Sequence, residues 1–195
     1  MSGRVIETYF DYGSPYCYFV VDRLEAVAKR NGATVDWRPI DLQRLFEARW
    51  PYSDAKRRYV FTDALRSAEF YGVETRMPEP LPVRGALAAR VALSAQAAGI
   101  FDVYNRRVFR AAWAESRDIG DEAVLAACIL DAGRDPAALL AEAKTESVAD
   151  RVRALTAQAE ARGVFGVPAM FLDDELFWGN DRVEMLEWRL RGGNR

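Results

Sequence analysis

The chain has 195 residues, half of them hydrophobic and 29% charged, which suits one globular domain carrying an insertion, or two small domains, and does not suit a disordered chain. Its 27 basic and 29 acidic residues nearly cancel, so there is no electrostatic footprint for nucleic acid or an anionic membrane surface. The absence of histidine, with only Cys17 and Cys128 far apart, argues against a zinc site, a Ser-His-Asp triad and a disulfide framework.

No apolar run approaches the ~20 residues that span a bilayer. The opening MSGRVIETYF lacks the apolar region and small-residue cleavage site of a signal peptide, and a reducing cytoplasm is the expected compartment. Val5–Phe10, rich in β-branched and aromatic residues, reads as a strand. Asp11-Tyr12-Gly13-Ser14-Pro15 breaks it; Pro15 suits the first position of a helix with Ser14 at its N-cap. Val20, Leu24 and Val27 then recur at helical spacing, Asn31-Gly32 stops the helix, and residues 34–40 read as a second strand. A strand, a crossover helix and a strand predict a parallel pair.

From Leu42 to Gly163 the pattern is helical, with segments near 54–71, 84–98, 101–114, 121–131, 136–144 and 147–162 punctuated by Gly72, Gly99, Gly133 and Gly163. The period then returns to that of strands: Ala169–Leu172, an Asp173-Asp174 turn, and Glu175–Trp178 predict a hairpin. Residues 180–191 close the chain as a helix with Val183, Leu186 and Leu190 toward the core and a capping box from Asp181 to Glu184. The order β-α-β, helices, β-β-α predicts an α/β fold: a thioredoxin-like mixed sheet from residues 1–41 and 163–195, with a large all-helical insertion domain at 42–162.

Three places carry candidate chemistry. Gly13-Ser14-Pro15-Tyr16-Cys17 lies where a strand meets a helix N-terminus, a site that favours an anion. Redox proteins carry C-x-x-C there, but a serine at the first position cannot form a disulfide; its hydroxyl can donate to a thiolate brought by a ligand, or simply cap the helix. Gly166-Val167-Pro168 precedes the third strand, either as an ordinary turn or as a cis bond that presents the Val167 backbone to a ligand. Trp178-Gly179-Asn180-Asp181-Arg182 opens the last helix, where Asp181 serves as a cap or meets a ligand ammonium group.

The stretch Phe10-Asp11-Tyr12-Gly13-Ser14-Pro15-Tyr16-Cys17-Tyr18 resembles the F-D-x-x-S-P-[YF]-S-Y opening of the 2-hydroxychromene-2-carboxylate isomerase family. Residues 164–172 and Phe177-Trp178-Gly179-Asn180-Asp181-Arg182 resemble its C-terminal signature, and Tyr59, Asp63, Arg66 and Trp113 fit between them. The same architecture is shared with kappa-class glutathione transferases and DsbA-like oxidoreductases. The resemblance implies a homodimeric, cytoplasmic isomerase in aromatic compound catabolism that uses glutathione and a small aromatic substrate, with no metal. It implies that Ser14 faces the glutathione sulfur as the catalytic hydroxyl, that Val167 before a cis Pro168 pairs with the cysteinyl part, that Asn180 and Asp181 bind the γ-glutamyl end, and that Lys56 meets the glycine carboxylate. Tyr16 and Trp178 are candidate walls for the substrate, and Arg84 or Lys56 for its carboxylate. Cys17 departs from the family serine, and an asparagine that the family uses near glutathione has no counterpart between Glu47 and Asp54. A kappa-class-like transferase, a thiol-disulfide oxidoreductase working through Cys17, and a peptide-binding module are the competing readings.

Overall fold

The computed structural model describes residues 3–46 and 53–193. Strand β1 (Val5–Phe10) and helix α1 (Pro15–Arg30) lead to β2 (Thr34–Pro39), and β1 and β2 pair in parallel with Val5 opposite Thr34. Helix α1 has Cys17, Val20, Leu24 and Val27 buried along one stripe. It ends where the Asn31 amide donates to the Val27 carbonyl (2.8 Å) and Gly32 adopts a φ of 65°.

Helices α2 (Leu42–Phe46), α3 (Asp54–Tyr71), α4 (Ala86–Ala97), α5 (Phe101–Trp113), α6 (Glu122–Asp131), α7 (Pro136–Ala143) and α8 (Glu146–Ala161) follow. The glycine punctuation marks their ends to within two residues. The hairpin of β3 (Ala169–Leu172) and β4 (Glu175–Trp178) returns the chain to the sheet, and α9 (Val183–Leu190) closes it. Strand order is β2-β1-β3-β4, with β3 antiparallel to both of its neighbours. This is the thioredoxin-like mixed sheet, with helices supplied between its two halves.

One continuous apolar core joins the sheet to the helices: Ile6, Phe10 and Met170 pack in the same cluster as Val91, Tyr104, Phe109 and Leu125. Its centre is aromatic. Phe10 meets Tyr12 and Trp37 edge-on, with centroids 5.2 and 5.5 Å apart, and Tyr12 packs on Phe109 at 4.7 Å. Each such pair contributes roughly 0.5–1.5 kcal/mol beyond its area. Because Phe10 and Tyr12 flank Asp11, this cluster fixes the chain just before the Gly13–Ser14 turn. The indole N–H of Trp113 donates to the Tyr12 carbonyl at 2.8 Å and ties the turn to α5 as well.

The last helix departs from expectation. Residues 180–182 form a single 3-10 turn and α9 begins at Val183. No capping box forms: Asp181 pairs with Arg182, and Glu184 pairs with Arg23 of α1. Arg182, not Asp181, stands at the N-cap of α9, so the Asp181–Glu184 spacing is out of register with the helix start.

Candidate active site

A large cleft of about 2200 Å³ opens beside the β1–α1 turn. It is lined by that turn, by α3 and α4, and by the end of β4. The volume exceeds the usual ~300–1,000 Å³ of a small-molecule pocket, leaving room for two ligands.

Ser14 stands at the N-cap of α1, yet its side chain makes no capping hydrogen bond. Its hydroxyl instead lies 3.5 Å from the Val167 carbonyl, at the outer limit of a hydrogen bond, and beside the Cys17 thiol. The first turn of α1 holds no acidic residue. The turn therefore keeps its positive helix end and a lightly engaged hydroxyl, both of which suit an anionic sulfur. Across the cleft the Val167–Pro168 bond is cis, and the Val167 N–H donates to no described residue. A lightly engaged serine hydroxyl at a helix N-terminus, beside a main-chain segment whose N–H is left unpaired, suits the thiol and extended backbone of a tripeptide, so glutathione fits the residues present.

Asp11 anchors the turn. Its carboxylate accepts from the Gly13 amide (2.6 Å) and from the Leu42 amide at the start of α2 (2.8 Å). Burial outweighs these two bonds and pushes its carboxyl up to about 6. Cys17 is fully buried, and desolvation pushes its thiol up to about 12. It is a neutral thiol packed in the core.

Of the other expected site residues, Tyr16, Lys56, Trp178, Asn180 and Asp181 also line the cleft. Tyr16 donates to Asp63 at 2.9 Å, and Tyr59 and Arg66 converge on the same carboxylate. Burial and Asp63 raise the Tyr16 hydroxyl well above its ordinary value, so it stays protonated. Trp178 is half exposed and packs on Phe165, with ring centroids 4.8 Å apart. A Cβ on Gly166 would come within 2.6 Å of its indole nitrogen, so only glycine leaves the ring where it is. Asn180 is buried, and its carbonyl accepts from Arg23.

Two expectations are revised. Pro168 is buried behind the cleft wall and only Val167 faces in. Arg84 reaches the cleft, but its guanidinium is held by Asp118, a partner that none of the motifs pointed to. The missing family asparagine falls mainly on residues 47–52, outside the described residues. The sequence did not single out Asp11 or Arg90; the signal for Asp11 was an acid one residue before a tyrosine and a tight glycine turn. No group of three potential metal-ligating side chains occurs among the described residues, and no helix there is long and apolar enough to cross a membrane.

The family model of the DSBA-like thioredoxin domain matches residues 5–191. The 2-hydroxychromene-2-carboxylate isomerase of Sphingobium xenophagum is 30% identical over 188 residues, covering 94% of this chain and 96% of that protein. A solved 2-hydroxychromene-2-carboxylate isomerase superposes with a TM-score of 0.87 at 30% identity, over 96% of this chain and 94% of the other. The cytosolic disulfide reductase DsbM of Pseudomonas aeruginosa, solved with GSH, shares the fold at 19% identity and a TM-score of 0.67, over 96% and 99% of the two chains.

Proposed function

Because the chain belongs to the DSBA-like thioredoxin domain family, alongside the 2-hydroxychromene-2-carboxylate isomerases, we propose that it is a glutathione-dependent cis–trans isomerase of 2-hydroxychromene-2-carboxylate or a similar conjugated aromatic carboxylate. The observation that carries this reading is Ser14: a cleft-lining hydroxyl at a helix N-terminus that does not cap its helix. Bound there, glutathione supplies a thiolate nucleophile whose reversible addition to a conjugated carbon lets the double bond rotate.

The chain's own residues hold and tune that sulfur. Ser14 donates to it, and the amino end of α1 favours its negative charge. Val167 pairs its main chain with the cysteinyl unit. Asn180 and Asp181, at the second helix start, receive the γ-glutamyl end, and Lys56 the glycine carboxylate. Tyr16 and Trp178 form apolar walls that exclude water from the reacting carbon.

Disulfide exchange through Cys17 finds no support in a buried thiol pushed up to about 12. We propose in addition a cytoplasmic homodimer, for which exposed Phe70 and Trp188 offer apolar surface.

The test is a titration of bound glutathione by thiolate absorbance, with isomerisation of a benzylidenepyruvate followed in parallel. Hydrogen bonds to charged groups are worth about 1.5–3 kcal/mol, so Ser14→Ala should raise the bound thiol's pKa by about 1–2 units and slow isomerisation about 10–100-fold. Wild-type protein that binds no glutathione, or a variant as fast as wild type, refutes the reading. Accumulation of a glutathione conjugate in place of isomer would make it a transferase.

A further inference from the structure

Helix α4 is built almost entirely of alanine and other apolar residues, and Arg90 is its one charged residue. Arg90 is half-buried and lines the cleft together with Leu87 and Ala89 of its own helix and Ala149 and Val152 of α8. Every other half-buried arginine among the described residues, from Arg23 and Arg38 to Arg162 and Arg189, has a carboxylate within ion-pair distance. Among them Arg90 alone has none.

The carboxylates along the cleft are already engaged. Asp11 accepts two amides, Asp41 accepts the Arg44 amide, Asp63 is held by Tyr16, Tyr59 and Arg66, Glu175 pairs with Arg189, and Asp181 pairs with Arg182. A guanidinium partly withdrawn from water and left without a counter-ion is unfavourable unless an anion joins it. Its planar fork matches a carboxylate, which it holds through two parallel hydrogen bonds. The alanine, leucine and valine side chains beside it suit the hydrocarbon part of the same ligand.

We infer that Arg90, and not Arg84, takes the carboxylate of the conjugated substrate, with the apolar faces of α4 and α8 bracketing its carbon skeleton. This assignment rests on the isomerase reading for the identity of the substrate. The competing role for Arg90 is to hold the glycine carboxylate of glutathione, and the test separates the two.

Wild type, Arg90→Gln and Arg90→Lys are titrated with trans-cinnamate, with neutral cinnamamide and, separately, with glutathione, by calorimetry, and thermal melts report folding. Wild type should bind cinnamate at least about tenfold tighter than cinnamamide, the range expected for one charge-assisted hydrogen bond. Arg90→Gln should bring cinnamate down to the level of the amide, and Arg90→Lys should recover part of the difference. Affinities for cinnamamide and glutathione should stay within about twofold of wild type. Equal cinnamate binding by Arg90→Gln and wild type overturns the proposal, as does a loss confined to glutathione. A wild type that binds cinnamate through Arg90 yet ignores glutathione supports the arginine assignment and refutes the glutathione reading.

Discussion

Substituting Asp11 by asparagine tests which force governs the turn that carries Ser14. Two amides favour the ionised carboxylate, through bonds of 2.6 and 2.8 Å, while burial opposes it. Nearby Asp41 opposes ionisation as well. The balance moves the folded-state value from 3.8 to about 6, so the folded protein binds this proton more tightly than the unfolded chain. The associated stability is fully present below about pH 4 and is lost as pH rises through 6. The difference of about two units corresponds to ~3 kcal/mol. The Asp11→Asn side chain is uncharged at every pH and so stands in for the protonated acid throughout, with a single oxygen left to accept from the two main-chain donors. Urea unfolding of wild type and Asp11→Asn at intervals from pH 4 to pH 8 isolates the effect, because other titrating groups cancel in the difference. The variant should gain on wild type by up to about 3 kcal/mol across that range, most of it between pH 4 and 6.5. Parallel profiles would mean that Asp11 titrates normally; a variant that falls behind wild type at high pH would mean that the amides win over burial.

Three further outcomes follow from the geometry. Cys17→Ala should keep isomerase activity within about twofold while costing about 1–2 kcal/mol in the melt, and native wild type should resist iodoacetamide. Gly166→Ala should push the Trp178 ring aside, changing its emission and slowing isomerisation about tenfold or more, since the new Cβ has only 2.6 Å to the indole nitrogen of that substrate wall. Glu187, held by Arg30 and Asn31 across the α1–α9 contact, is lowered to about 2. Its stabilisation is present above about pH 4.5 and is lost as pH falls through 2, so Glu187→Gln should cost about 1 kcal/mol at pH 7, less in high salt, and flatten the acid limb of the melt.

Sequence reasoning reached the β-strands, α1 and the hairpin because each is set by local chemistry: alternating side chains, a proline start, an Asn-Gly stop. The residues it drew from both turns lie along one cleft, and they were legible because the motifs that mark them are contiguous. It went astray where a residue's role depends on a partner distant in sequence. Arg84 belongs to Asp118, 34 residues on, and nothing in the spacing announces that pairing. Asp181 and Glu184 have the spacing of a capping box, but α9 starts one residue late for it, Asp181 pairs with Arg182, and Arg23 takes Glu184. Arg90 was passed over for the opposite reason: a single arginine in an alanine-rich helix reads as a solvated side chain until the packing of α4 against α8 shows what surrounds it. The raised pKa of Asp11 likewise arises only from its burial in the folded chain, against two amides that oppose it.

The strand order carries a consequence for biosynthesis. β1 emerges from the ribosome first and acquires β2 at once, but its other edge must wait for β3, beyond every helix between them. Ser14 and Val167 are 153 positions apart, so Val167 can join the cleft only after every helix between them has been made. A nascent chain therefore carries an open sheet edge and an inert turn until β3 has been made, and removing the β3–β4 hairpin would remove catalysis and invite edge-to-edge association together.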